Sequence, residues 1–195
     1  VKLDRNLNLV LEVEREEGSS AHVYVSPLSE AVFSKYFMVL SRTYAAMSAE
    51  GGEWMIRLGP RLALRMLKKI AVDTNEWEGP EGVEKGLLAE IRRATTVLTP
   101  MPDTGGWDTI PLQIAENQGY FTPSDSSEVE NAVVFFLLGC AVLRPVEADS
   151  MMSAVFGLFG AQLTSSSCMD YRDFLPTSST LDVTNEKVIP SSTPR

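Results

Sequence analysis

Ser126-Ser127-Glu128-Val129-Glu130-Asn131-Ala132-Val133-Val134-Phe135-Phe136-Leu137-Leu138-Gly139-Cys140-Ala141-Val142-Leu143 is the stretch from which the fold is read. Its serines and Glu128 open a helix, and from Ala132 to Leu143 the chain is apolar for 12 residues. At helical spacing Val129, Val133, Phe136, Leu137 and Cys140 line one side, while Phe135, Leu138, Ala141 and Val142 line the other. A helix apolar all round has two outlets: the centre of a domain, or a core on one face and a partner on the other. The run is too short to cross a bilayer, which takes about 20 residues. Pro145 ends it.

Such a helix needs a shell, and the flanking sequence supplies one. Downstream, Met151 to Leu163 reads as a second apolar helix. Its Val155, Phe156, Leu158 and Phe159 exceed what one buried face needs, and Gly157 and Gly160 permit close packing. A short helix follows from Ser167 to Phe174. Upstream, Leu7 to Val13 and Ala21 to Val25 alternate as strands around the turn residues 16–20, an N-terminal β-hairpin. Ser29 caps a helix whose Phe33, Tyr36, Phe37, Leu40, Tyr44 and Met47 recur every three or four residues, up to Glu50-Gly51-Gly52. A next helix is expected from Gly59-Pro60 to about Thr74, and another from Gly82 to Thr95. Thr95 to Thr99 and Trp107 to Pro111 form a second small hairpin near residues 95–111, and Leu112 to Asn117 a brief helix closed by Gly119.

The expected fold is therefore α+β and mainly α-helical, with about five to seven helices. One domain spans 1–175, with the hairpin in 1–26 and a helical body in 27–175. The Ser/Thr/Pro-rich tail 176–195 has too few apolar residues to fold alone, so it is expected to be flexible until docked. The whole chain has 195 residues, 44% of them apolar and 22% charged, in ordinary globular proportion. A chain of this length buries roughly 70% of its extended surface, enough for one core.

Scarce residues exclude most catalytic chemistry from the linear order. His22 is the sole histidine and lies in a strand, so a hydrolytic triad has one imidazole to draw on. Cys140 and Cys168 are distant, with no CxxC pair; free thiols are the simpler reading, and no metal site or cofactor is expected. No P-loop, GxGxxG or GxSxG string occurs. The acids are scattered, so a carboxylate pair could assemble only in three dimensions. The start Val1-Lys2-Leu3-Asp4-Arg5 is too polar for a signal peptide, and Val1 in place of Met fits a GTG start codon of a bacterial or phage gene. A cytosolic protein is expected, without membrane association.

Against 26 acids and 17 basic residues, net −9, one segment stands apart. Arg57, Arg61, Arg65, Lys68 and Lys69 include no acid from Arg57 to Lys69. This is either a solvated helix face or a docking site for an acidic partner. The overall charge opposes nucleic acid.

Several strings over residues 1–175 resemble those of the tail assembly chaperones of long-tailed phages. They include Lys2-Leu3-Asp4-Arg5-Asn6-Leu7-Asn8-Leu9, Gly86-Leu87-Leu88-Ala89-Glu90-Ile91-Arg92-Arg93 and Gly106-Trp107-Asp108-Thr109-Ile110-Pro111-Leu112. Ser127-Glu128-Val129-Glu130-Asn131-Ala132 and Gly160-Ala161-Gln162-Leu163-Thr164-Ser165 extend the resemblance. It implies a helical, acidic, non-enzymatic protein of the host cytoplasm that coats the tape measure protein while tail tube subunits assemble. In such families a ribosomal frameshift often yields a second, longer form. On that reading Phe135, Phe136, Phe156 and Phe159 shelter an apolar partner helix, with Arg61, Arg65 and Lys69 as a polar rim. A second copy of the chain is a further candidate partner. The rival expectation is a structural subunit of the virion, whose hairpins add strands to a neighbour.

Overall fold

The computed structural model describes residues 8–14, 20–101 and 105–175. Residues 1–7, 15–19, 102–104 and the whole tail 176–195 lie outside these, and with them most of the expected turn at 16–20 and the expected tail flexibility. The architecture is α+β, as the sequence indicates: an antiparallel sheet carrying a mainly helical body. In chain order the elements are β1 (Asn8–Glu14), β2 (Ser20–Val25), α1 (Glu30–Ala49) and α2 (Gly52–Asp73). A π-helical turn, Val83–Leu87, leads into α3 (Leu88–Ala94), then β3 (Thr95–Pro100), β4 (Trp107–Pro111) and α4 (Leu112–Asn117). Last come α5 (Pro123–Val142), α6 (Pro145–Phe156), β5 (Ala161–Thr164) and α7 (Cys168–Phe174).

The two expected hairpins are halves of one sheet, ordered β4-β3-β2-β1-β5. On β1, alternation sends Leu9, Leu11 and Val13 to the helical side, where they join Ala21, Val23, Val25 and Val97 in the core. Val10, Tyr24 and Leu98 point to the opposite face. β5 corrects the sequence reading, which continues α6 to Leu163. The helix stops at Phe156, Gly160 takes a left-handed φ of 64°, and the chain turns onto the free edge of β1. There the Glu12 N–H donates to the Gly160 carbonyl at 2.9 Å.

α5 is the axis of the helical body, packing on α1, α2, α3, α4, α6 and β1. Its first turn carries a capping box: Asp125 N–H donates to Thr122 Oγ1 at 3.2 Å, and Thr122 N–H donates to Asp125 Oδ2 at 2.8 Å. Every residue from Val129 to Gly139 is buried. The helix therefore starts at Pro123, a turn earlier than Ser126 suggests, and has taken the first of its two outlets.

α1 begins where expected, with Ser29 Oγ accepting from Val32 N–H, and ends before Gly51, whose φ of 106° separates it from α2. α2 departs from expectation at its start. It begins at Gly52, and Pro60 lies inside it. Pro60 has no N–H to give the ladder, and beside it Asn131 of α5 braces the helix: its Oδ1 accepts the Leu64 N–H at 3.0 Å while its Nδ2 donates to Ser127 O at 2.7 Å. Met55, Gly59, Ala63, Leu67 and Ala71, each four residues on from the last, form the buried seam against the body. At Gly59 a Cβ would come within 2.5 Å of the Phe135 ring, so only glycine permits this crossing. No helix among the described residues is long and apolar enough to cross a membrane.

Candidate partner-binding site

The structure divides the seven residues singled out from the sequence. Phe135 and Phe156 are 0% exposed and Phe136 is 4% exposed. Their rings pack on one another, Phe135 edge-on to Phe156 with centroids 5.8 Å apart and Phe136 to Phe156 at 6.5 Å. They form the centre of the core and present nothing to a partner. The expectation of a docking surface at these three is corrected by the packing around α5: α2 covers the flank carrying Phe135, and α6 delivers Phe156 onto the same cluster.

Phe159 is different. It lies half-buried in the turn between α6 and β5, and the Arg61 guanidinium of α2 sits over its ring at 5.4 Å. Two residues distant in sequence are thus brought together as aromatic and cation. Pro60, Arg61, Glu128, Phe156, Phe159 and Glu12 line a narrow cleft at this corner, about 20 Å³, with room for roughly one water. Beside the ring Leu158 is 69% exposed.

Arg65 and Lys69 are exposed on α2 and make no ion pair among the described residues. The neighbouring cations are held locally: Arg57 pairs with Glu53 at 3.3 Å, and the Lys68 ammonium stands over Trp77 at 5.0 Å. Leu58 (39% exposed) and Val72 (50%) belong to the same outward face. Counting 100° per residue from Arg57 would have found both, because the buried seam lies on the opposite side.

A second polar cluster ties three helices together. Arg92 of α3 donates from Nε to Glu130 of α5 at 2.6 Å and from its NH1 nitrogen to Glu116 of α4 at 3.3 Å. With Phe121, Pro123 and Ser126 these residues line a cleft of about 320 Å³, and the buried Ser126 Oγ has no hydrogen-bond partner among the described residues. Paired acids for glycosidic chemistry flank a space left open for substrate. Here one guanidinium donates to both carboxylates, the arrangement of a brace. Among the described residues no group of three or more His, Cys, Asp or Glu is placed to hold a metal ion, and Cys140 and Cys168 are not joined by a disulfide. Burial raises the Cys168 thiol above its ordinary value, Arg172 opposing in part.

His22, expected in a strand, is half-buried on the sheet face opposite the α5 body, the face on which α7 sets Tyr171 against Tyr24. Its ring meets Trp107 edge-on at 5.2 Å, Nδ1 is buried without a partner among the described residues, and Glu12 lies directly across on β1. Burial lowers its pKa below 6.5; Glu12 pulls the other way with less effect. As pH falls through 6.5 the unfolded chain takes up this proton first, so the folded state loses stability from there down to the lowered pKa. His22→Gln should flatten that segment of the stability curve in denaturant titrations between about pH 7.5 and about pH 5.5. An unchanged slope would remove His22 as its source.

Comparison of the chain with protein-family models, with curated proteins and with solved structures finds no match in any of the three. The fold and the site define an acidic α+β protein with one basic, partly apolar helix face.

Proposed function

We propose that this protein is a non-enzymatic assembly factor of the phage tail chaperone kind, acting in the host cytoplasm on the tape measure protein and on tail tube subunits. The observation carrying the reading is the outward face of α2, where Arg65 and Lys69 have no ion-pair partner among the described residues of a chain of net −9, beside the Arg61–Phe159 corner. Such a face favours a partner of opposite charge. The sequence resemblance supplies that partner's identity.

Affinity capture from cells expressing the phage genes, read by mass spectrometry beside purified mature particles, tests this. A long helical protein should be recovered with the wild-type chain and lost with Arg65→Glu plus Lys69→Glu, and mature particles should lack the chain. Its presence in particles at fixed stoichiometry would reject the chaperone reading.

A virion subunit remains the second reading, favoured by one observation. The β1–β2 hairpin is interior, so strand addition is confined to β4 and β5. On β4, Asp108 Oδ1 accepts the Thr109 N–H at 2.8 Å and Pro111 has no N–H, so that edge is blunted. The Glu12–Gly160 bond sets the β5 ladder so that the Ala161 and Leu163 backbone groups point away from β1, on the side where a neighbour's strand would add.

A further inference from the structure

We propose that the outward face of α2 docks an acidic amphipathic helix of another protein, laid along α2 so that its carboxylates meet Arg61, Arg65 and Lys69 while its apolar stripe covers Leu58 and Val72. The proposal rests on the protein-binding reading above and names the chemistry of the partner and the mode of contact.

Three observations carry it. Arg57 to Val72 spans about 22 Å of helix, and these side chains fall within about 120° of arc, opposite the seam of Gly59, Ala63 and Leu67. The face is thus one continuous strip, matched in length by about four turns of a second helix. Its charges are prepared for pairing. Arg61 and Lys68 already lie on the rings of Phe159 and Trp77, and Arg65 and Lys69 have no competing acid among the described residues. Apolar side chains interrupt the cations: Leu58 and Val72 stay 39% and 50% exposed. A polyphosphate backbone has no use for these apolar interruptions, and the net charge of −9 repels it. Two α2 strips would repel each other, so a second copy paired face to face is a poor occupant. An acidic helix with an apolar stripe satisfies both components at once.

The test titrates the full chain with two fluorescent helical peptides of about 16 residues. One carries leucines at every third and fourth position with glutamates elsewhere, and its twin carries glutamines in place of the glutamates. The glutamate peptide should bind at least about tenfold more tightly than its twin at low salt, with the preference shrinking as salt rises. Arg65→Glu plus Lys69→Glu should abolish the preference, and Leu58→Ser plus Val72→Ser should weaken both peptides. All four positions are exposed, and circular dichroism checks that the variants fold. Equal binding of the twins, tighter binding of a single-stranded oligonucleotide, or insensitivity to the serine pair would each overturn the proposal. So would self-association that the charge-reversed chain loses. If the glutamate peptide binds as expected while mature particles contain the chain, docking stands and the assembly reading fails. If capture recovers a helical partner while the twins bind alike, the assembly reading stands and docking fails.

Discussion

Phe135→Ala is expected to lower the unfolding free energy by about 3–5 kcal/mol, read as an earlier midpoint in urea or guanidinium titration. The ring is fully buried, edge-on to Phe156 and pressed against Gly59 of α2. Removing it deletes the transfer free energy of the ring and leaves a cavity walled by helices whose backbones are fixed elsewhere, α2 by the Asn131 bridge and α5 by its capping box. Such walls collapse little, so the cost should lie toward the upper end. Partner affinity, measured on the fraction still folded, should not change, since Phe135 reaches no surface. A large loss of affinity with unaltered stability would contradict the core placement.

Gly59→Ala should cost about 1–3 kcal/mol, although alanine is the better helix former by about 1 kcal/mol. The added Cβ would stand 2.5 Å from Phe135 Cε2, and a ring held by Phe156 cannot withdraw. The physical claim is sharper in combination. In the Phe135→Ala background the Cβ enters empty space, so the same substitution should become neutral or stabilising. A double-mutant cycle should then give a coupling above about 1 kcal/mol. Additive effects would mean that α2 and α5 do not meet at this point.

Legibility in the sequence varied with how local the cause was. Ser29 and Gly51 delimit α1 through bonds and backbone angles within a few residues, and both ends were foreseen. The strand pairs of the two hairpins were equally local. In the sequence Pro60 looks like a first-turn residue, which shortens α2, whereas a side chain 67 positions away supports the helix beside it. Ala161-Gln162-Leu163-Thr164 fits either period, so the sequence alone extends the preceding helix through Leu163. What makes it a strand is the unfilled edge of β1, more than 140 residues upstream.

The site shows the same division. Arg61, Arg65 and Lys69 were legible as a cationic strip, because charge and helical spacing are local properties. The fates of the four phenylalanines were not. All belong to segments more apolar than one face requires, yet Phe135, Phe136 and Phe156 are enclosed while Phe159 reaches the surface under Arg61.

By itself the sequence determined the α+β class, the elements bounded by their own caps and turns, an acidic chain, and one basic helix face free of acids from Arg57 to Lys69. The tertiary structure alone decided that two hairpins are one sheet, that β5 pairs with the β1 edge, and that three of four candidate aromatics are core. Composition and periodicity report how strongly a segment avoids water. Only the number and position of neighbours drawn from elsewhere in the chain decide whether that demand is met inside the molecule or left for a partner.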